Sequence, residues 1–94
     1  EKGKNHFFVI IDQDNTAVPI ENFGMLVSSN LNKLKFKANK LLEKDKQNNL
    51  DKDSLVKTDI IYKIPTEQIL FKIGIVSYEK IEEYKKSFYD NLNR

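Results

Sequence analysis

One residue of the chain, His6, has a side chain type that ordinarily gains and loses a proton between pH 5 and 8. General acid or base catalysis near neutrality requires such a group. His6 stands at the start of the apolar run Phe7–Ile11. A lone His is more often a surface or packing residue than a catalyst, so both interpretations of His6 stay open on the residues alone.

Two hydroxyl side chains, Ser28 and Ser29, end the apolar segment Phe23–Val27. Hydroxyls at the end of a strand can hold phosphate oxygens or position a nucleophile. Serines are also standard turn residues, and on chemistry alone a turn is the favoured interpretation.

The densest positive patch lies between residues 32 and 40, where Lys33, Lys35 and Lys37 recur at a two-residue period. In a strand these three lysines would share one side, with the aromatic Phe36 between them. They could grip a phosphate backbone while an aromatic ring stacks on a base. Lysines also protect exposed strand edges and solubilise loops, and that alternative stays open.

The strand expected to organise these groups lies in Asp53–Ile64, where apolar and polar residues alternate. One predicted face, which could be buried entirely, carries β-branched and aromatic residues: Val56, Thr58, Ile60, Tyr62 and Ile64. The other face carries Lys57 and Asp59 between apolar neighbours. These two charges are candidates for a functional role, and an ordinary exposed ion pair is the alternative.

Composition excludes several classes of protein. The 94 residues predict a single domain, 1–94, with a small core. Because there is no Cys, disulfides and Cys-based zinc sites are excluded, and one His disfavours a transition-metal site. The net charge of +2 does not by itself argue for nucleic acid, so any basic patch must be local. With no membrane-length apolar run and no visible signal peptide, we expect a cytoplasmic protein.

The remaining pattern predicts a mainly β (α+β) fold. Phe7–Ile11 is a continuous apolar run and predicts a central strand buried on both faces. Residues 16–20 predict a brief edge segment, Phe23–Val27 a second strand, and Asn39–Glu43 another.

A helix is predicted at the C-terminal end of the chain. Ser77 would cap it, and it would run from Tyr78 to about Asn93. An apolar stripe at spacings of three and four predicts its packing face: Ile81, Tyr84, Phe88 and Leu92. About five strands and a terminal helix favour a small, strongly bent sheet or SH3-like barrel with the helix packed on it.

Four short runs occur in a characteristic order. They are Gly3–Ile11 (a Gly-containing loop leading into an apolar strand), Met25–Ser29 (a strand ending in a hydroxyl), Asp53–Leu55 (a strand opening) and Lys72–Ser77 (a Gly-containing approach to the helix). Taken together, they resemble the MazF/PemK toxin family within the wider CcdB/PemK superfamily, over nearly the whole chain. The resemblance implies that the family's first strand is missing or truncated in this sequence.

The resemblance implies a toxin of a toxin–antitoxin system. Such toxins are small endoribonucleases that cut single-stranded RNA without a metal or other cofactor. They act as homodimers and are silenced by an antitoxin. The implied fold is the small bent barrel of the CcdB/PemK superfamily with a C-terminal helix.

One departure from the family pattern affects the implied active site. The family's catalytic Arg falls at Asn5, which carries no charge, and its Pro falls at His6. The family's Thr falls at Ser28, which keeps the hydroxyl. His6 would then be the acid or base, Lys4 the substitute cation, and Ser28 a hydrogen-bond donor to the phosphate. The remaining expected RNA contacts are Ser29, Lys33, Lys35, Lys37 and Lys57.

Three alternatives stay open. A non-enzymatic CcdB-like toxin would bind and inhibit a protein, and the loss of the Arg favours it. A type III toxin relative would be inhibited by a structured RNA. A degenerate domain would retain binding alone.

Overall fold

A computed structural model describes residues 6–92 of the chain. The strands in this part are β1 Phe7–Gln13, β2 Glu21–Ser28, β3 Asn39–Leu42, β4 Ser54–Lys57 and β5 Tyr62–Pro65. Two 3₁₀ helices span Leu31–Lys35 and Thr66–Gln68, and the α-helix α1 spans Tyr78–Leu92. The strands predicted at Phe23–Val27 and Asn39–Glu43, and the C-terminal helix, are thereby confirmed.

The five strands form one antiparallel sheet in the order β1–β2–β4–β3, with β5 paired to β2. The predicted mainly β fold class with a C-terminal helix is confirmed. Within the described residues the sheet stays open and does not close into a barrel.

The single strand predicted across Asp53–Ile64 is two strands. β4 pairs with the end of β2, and β5 pairs with its beginning. Between these two pairings the chain has five residues, 57–61, whereas β2 has only two, 25 and 26, so one continuous strand cannot pair along β2. Thr58 marks the break: its buried hydroxyl lies 2.6 Å from the Ala38 carbonyl oxygen and 2.6 Å from the Ser87 hydroxyl of α1. The predicted buried face therefore ends at Thr58, and both Ile60 and Tyr62 are exposed.

The first strand was predicted to be central and buried on both faces, which is wrong. β1 lies at an edge of the described sheet and pairs only with β2 there. Its burial alternates over residues 8–11: Val9 and Ile11 are buried, whereas Phe8 and Ile10 are half-buried. Residues 16–20, predicted as an edge segment, form a bent loop.

The core lies between one face of the sheet and α1. Tyr84 is fully buried there, and Ile81 and Phe88 pack against the same cluster as predicted. Leu92, the last residue of the predicted stripe, is 63% exposed. The Ser77 hydroxyl accepts a hydrogen bond from the Lys80 N–H at 3.3 Å, which confirms the predicted N-cap.

None of the helices in residues 6–92 combines the length and the apolar character that crossing a membrane requires.

Candidate functional site

The face of the sheet opposite α1 carries most of the residues that could do chemistry. Directly paired residues in an antiparallel sheet point to the same side, and residues two apart along a strand also share a side. The pairs Phe8 with Leu26, Ser28 with Leu55, and Gly24 with Tyr62 therefore lie on one side. We call this side, bearing Phe8, Leu26, Ser28, Lys57 and Tyr62, the open face.

His6 and Ser28 are brought together by the register of β1 and β2. Phe7 pairs with Val27, His6 immediately precedes Phe7, and Ser28 immediately follows Val27. Continuing the antiparallel register by one residue places positions 6 and 28 opposite each other. His6 is exposed and lies just outside the strand, while Ser28 is its half-buried last residue.

The Ser28 side chain is held by the turn that follows it. Its hydroxyl oxygen accepts a hydrogen bond from the Asn30 N–H at 3.2 Å, which leaves the hydroxyl proton free to donate. The Asn30 side chain in turn accepts from the Asn32 N–H at 3.2 Å and caps the next helix. Ser29 is exposed between them. Ser28 thus ends a strand and takes part in a turn, which is the interpretation that chemistry alone favoured.

The predicted lysine patch forms a 3₁₀ helix, Leu31–Lys35, and not a strand. We call this segment the lysine helix; Lys37, which follows it, lies beside α1. Lys33, Lys35 and Lys37 are all exposed, but the two-residue period that would align them on one side does not apply in a helix. The ammonium of Lys35 lies 5.5 Å from the centre of the Phe36 ring. The sequence signal for the helix was the cap at Asn30.

A buried side chain ties the lysine helix to the sheet. Asn39 pairs with Lys57, which places it on the open face, and its side-chain amide donates to the Lys33 carbonyl oxygen at 2.9 Å. The lysine helix therefore lies over the β3–β4 part of that face. This explains why Leu55 is fully buried on the side away from α1.

Lys57 lies on the open face, on the same side as Ser28. It is two residues from Leu55, the direct partner of Ser28, and it is half-buried. Ser28 and Lys57 thus share the open face, and the register continued past Phe7 puts position 6 opposite position 28. Lys4 and Asn5 lie outside the described residues.

Sequence analysis missed an aromatic pair on this face. The rings of Phe8 and Tyr62 meet edge to face, with centroids 5.6 Å apart and planes at 73°. They meet across β2 at Gly24, where a β-carbon would lie 3.3 Å from the Phe8 β-carbon. A glycine in the middle of a strand signals such a close approach, but it does not tell which residues approach.

Two shallow cavities lie away from the open face. One, of about 250 Å³, lies between α1 and the sheet, with Asp12, Phe23 and Phe88 in its wall. The other, of about 230 Å³, lies beside α1 and includes Lys37 and Lys86. Neither contains His6 or Ser28. Among residues 6–92, no group of three or more His, Cys, Asp or Glu residues could hold a metal ion.

Comparison with protein families gives one match. The model of the family described as "PemK-like, MazF-like toxin of type II toxin-antitoxin system" matches residues 1–91. Comparison with individual curated proteins gives no significant match.

Proposed function

This chain belongs to the PemK-like, MazF-like toxins of type II toxin–antitoxin systems, and on that premise we propose that it cuts single-stranded RNA and so arrests growth. The observation that supports cleavage best is the β1–β2 register, which pairs Phe7 with Val27 and, continued by one residue, puts position 6 opposite position 28. Lys57 shares the face of Ser28, and a phosphate-binding site requires such a cation.

The reaction that suits these residues uses the RNA's own nucleophile. The ribose 2′-oxygen forms a bond to the adjacent phosphorus while the bond from phosphorus to the 5′-oxygen breaks. A base takes the proton of the 2′-hydroxyl, and an acid gives a proton to the leaving 5′-oxygen. The products are a 2′,3′-cyclic phosphate and a 5′-hydroxyl, and no atoms beyond these are needed.

Each candidate residue has a role in this reaction. His6 performs one of the two proton transfers. Ser28 donates its free hydroxyl proton to a non-bridging phosphate oxygen, which gains negative charge in the transition state. Lys57, with Lys4 from the preceding segment, supplies the positive charge that Asn5 cannot, although an ammonium lacks the bidentate geometry of a guanidinium. Ser29 and the lysine helix bind the strand on either side.

The proposal is tested with purified protein and a mixed-sequence RNA. The wild-type chain is expected to give discrete fragments that end in 2′,3′-cyclic phosphate. His6→Ala and Ser28→Ala should each slow cleavage about 10²-fold or more. Ser28→Thr, which keeps the hydroxyl, should retain most of the activity.

Ser77→Ala is the matched control, because it removes an exposed hydroxyl from the cap of α1. It should leave the cleavage rate nearly unchanged. If His6→Ala cleaves at the wild-type rate, His6 is not the acid or base. If the wild-type chain leaves RNA intact, the endoribonuclease proposal fails.

Membership of a toxin–antitoxin system implies an antitoxin partner. We propose that the toxin acts in the cytoplasm, where its RNA substrate is made, and as a homodimer. Sedimentation equilibrium measures the dimer directly. The family match is to type II systems, so it does not favour the type III interpretation, in which the inhibitor is an RNA.

Asn5 is neutral where the family has its catalytic Arg. This favours a second candidate function, that of a non-enzymatic toxin that binds a protein target. The two functions predict different results in the same assay. Growth arrest on expression, with no RNA fragments in the cell or the tube, would favour protein binding.

A further inference from the structure

The aromatic pair on the open face has no role in the reaction described above. Tyr62 is 40% exposed although it contacts another ring, and its hydroxyl has no hydrogen-bond partner among residues 6–92. Phe8 is half-buried beneath the same surface. The pair therefore presents part of an aromatic ring to solvent, held in place by a second ring.

The position of the pair relative to the candidate site follows from the strands. His6 immediately precedes β1 and is two residues from Phe8, so at strand spacing the two positions are about 7 Å apart. Leu26, the partner of Phe8, is likewise two residues along β2 from Ser28. Lys57 lies on this face as well, on the strand just before β5.

Gly24 makes the pair possible. It sits on β2 between β1 and β5, and a side chain there would separate Phe8 from Tyr62: its β-carbon would lie 3.1 Å from the Ile64 side chain and 3.3 Å from the Phe8 β-carbon. Gly24 lets the two rings meet across the strand between them. The two rings in contact form one aromatic surface on the open face.

We propose that Tyr62, supported by Phe8, is a stacking platform for a nucleobase of the RNA strand, next to the phosphate bound at Ser28. This inference rests on the proposed RNA cleavage. Single-stranded nucleic acid is commonly held by an aromatic ring under a base and by cations along the backbone, and the open face offers both within one strand's length. Stacking does not depend on the identity of the base, so Tyr62 positions the strand without selecting its sequence.

The chain supplies a matched control on its other side. Tyr89 of α1 is 59% exposed and meets Phe88 edge to face, with centroids 5.9 Å apart and planes at 71°. The geometry of the two pairs is nearly the same, but Tyr89 lies on the helix that covers the opposite face. If any exposed aromatic pair could bind RNA, the RNA should affect Tyr62 and Tyr89 alike.

The test uses fluorescence, because the chain has no Trp. Tyr62→Trp and Tyr89→Trp each introduce one reporter. Each variant is titrated with a mixed-sequence 2′-O-methyl RNA, which lacks the nucleophile and stays intact, and with an abasic strand of equal length. Binding is followed separately by the anisotropy of a label on the RNA.

We expect the RNA to quench the fluorescence of Tyr62→Trp and leave Tyr89→Trp unchanged, and the abasic strand to quench neither. Tyr62→Leu should weaken RNA binding about tenfold or more, whereas Tyr62→Phe and Tyr89→Leu should bind like the wild type. A purely structural role of the pair would instead lower the urea midpoint of Tyr62→Leu and leave RNA affinity unchanged.

Normal RNA binding by Tyr62→Trp without quenching of its fluorescence would overturn the platform and leave the proposed function standing. Absence of RNA binding by every variant and by the wild type would overturn both. Quenching that depends on protein concentration and not on RNA would assign this surface to a second copy of the chain, and would also overturn the platform.

Discussion

At the residue scale, the Asp14 carboxylate organises the loop between β1 and β2. One of its oxygens accepts from the Thr16 hydroxyl at 2.5 Å and the Thr16 N–H at 3.1 Å. The other accepts from the N–H groups of Ile20 and Glu21, both at 2.9 Å. These hydrogen bonds, that from the Thr16 hydroxyl above all, lower the pKa of Asp14 from 3.8 to about 2.

The lowered pKa predicts how the stability of Asp14→Asn depends on pH. A depressed folded-state pKa stabilises the fold above pH 3.8, and this stabilisation is lost as the pH falls to about 2. Asp14→Asn should therefore unfold at a lower urea concentration than the wild type at pH 7, because its NH₂ group cannot accept hydrogen bonds. The deficit should shrink as the pH falls from about 4 to about 2.

The control for this prediction is Asp51→Asn, which removes an exposed carboxylate that accepts no hydrogen bond from residues 6–92. It should match the wild type at every pH. If the loss of stability in Asp14→Asn is the same at every pH, the ionised form of the Asp14 carboxylate does not stabilise this loop.

At the element scale, the sequence correctly predicted those strands and helices whose bounds depend on neighbouring residues. β2, β3 and α1 lie close to their predicted bounds, and Ser77 caps α1 through its own next turn. The break after β4 could not be predicted, because Thr58 bonds to Ala38 and Ser87, 20 and 29 residues away. Alternation in 53–64 is equally compatible with one strand or two.

The candidate site likewise combines features that the local sequence predicts with features that depend on distant parts of the chain. The hydroxyl of Ser28 at a strand end was predicted from its own neighbours. Its closeness to His6 depends on the pairing of β1 with β2, which neither segment encodes alone. The lysine segment does not form the predicted strand. Its two-residue period occurs by chance in a segment that forms a 3₁₀ helix. Tyr62 was assigned to a buried face because the break in the strand was missed.

Gly74 fixes the approach to α1 against the loop between β3 and β4. The Ile75 N–H donates to the Gln47 carbonyl oxygen at 2.8 Å, and the Asn49 side chain donates to the Ile73 carbonyl oxygen at 2.8 Å. A β-carbon at Gly74 would lie 2.5 Å from the Gln47 oxygen, which belongs to the backbone and cannot turn aside.

Gly74→Ala should therefore lower the free energy of unfolding by about 1–3 kcal/mol, measured in urea. Gly24→Ala offers a comparison, because its closest contact, 3.1 Å, is to the flexible end of the Ile64 side chain. We expect Gly24→Ala to lose less stability than Gly74→Ala. A Gly74→Ala variant as stable as the wild type would show that this loop moves freely relative to the approach to α1.

At the scale of the whole molecule, RNA binding requires a local cluster of positive charges. The net charge is only +2, so a uniform field would attract a polyanion weakly. The lysine helix instead gathers exposed cations over the open face, held there by the bond from Asn39 to the Lys33 carbonyl oxygen. The lysines of α1 lie on the other side, and several are paired with acidic neighbours.

This asymmetry predicts how RNA affinity responds to salt. Each phosphate neutralised on a single strand contributes about −0.7 to the slope of log affinity against log salt concentration. Changing Lys33 and Lys35 together to Gln should therefore make the slope shallower by about 1.4. The measurement is a series of anisotropy titrations with intact 2′-O-methyl RNA at rising salt.

The matched variant changes Lys80 and Lys85 of α1 to Gln and removes the same number of positive charges. Because these side chains lie on the covered side of the sheet and each is paired with a carboxylate, the slope should change little. If both variants flatten the slope equally, RNA responds to the total charge of the molecule, and the lysine helix is not its binding surface. If only the lysine-helix variant does so, the strand crosses the open face beside Ser28.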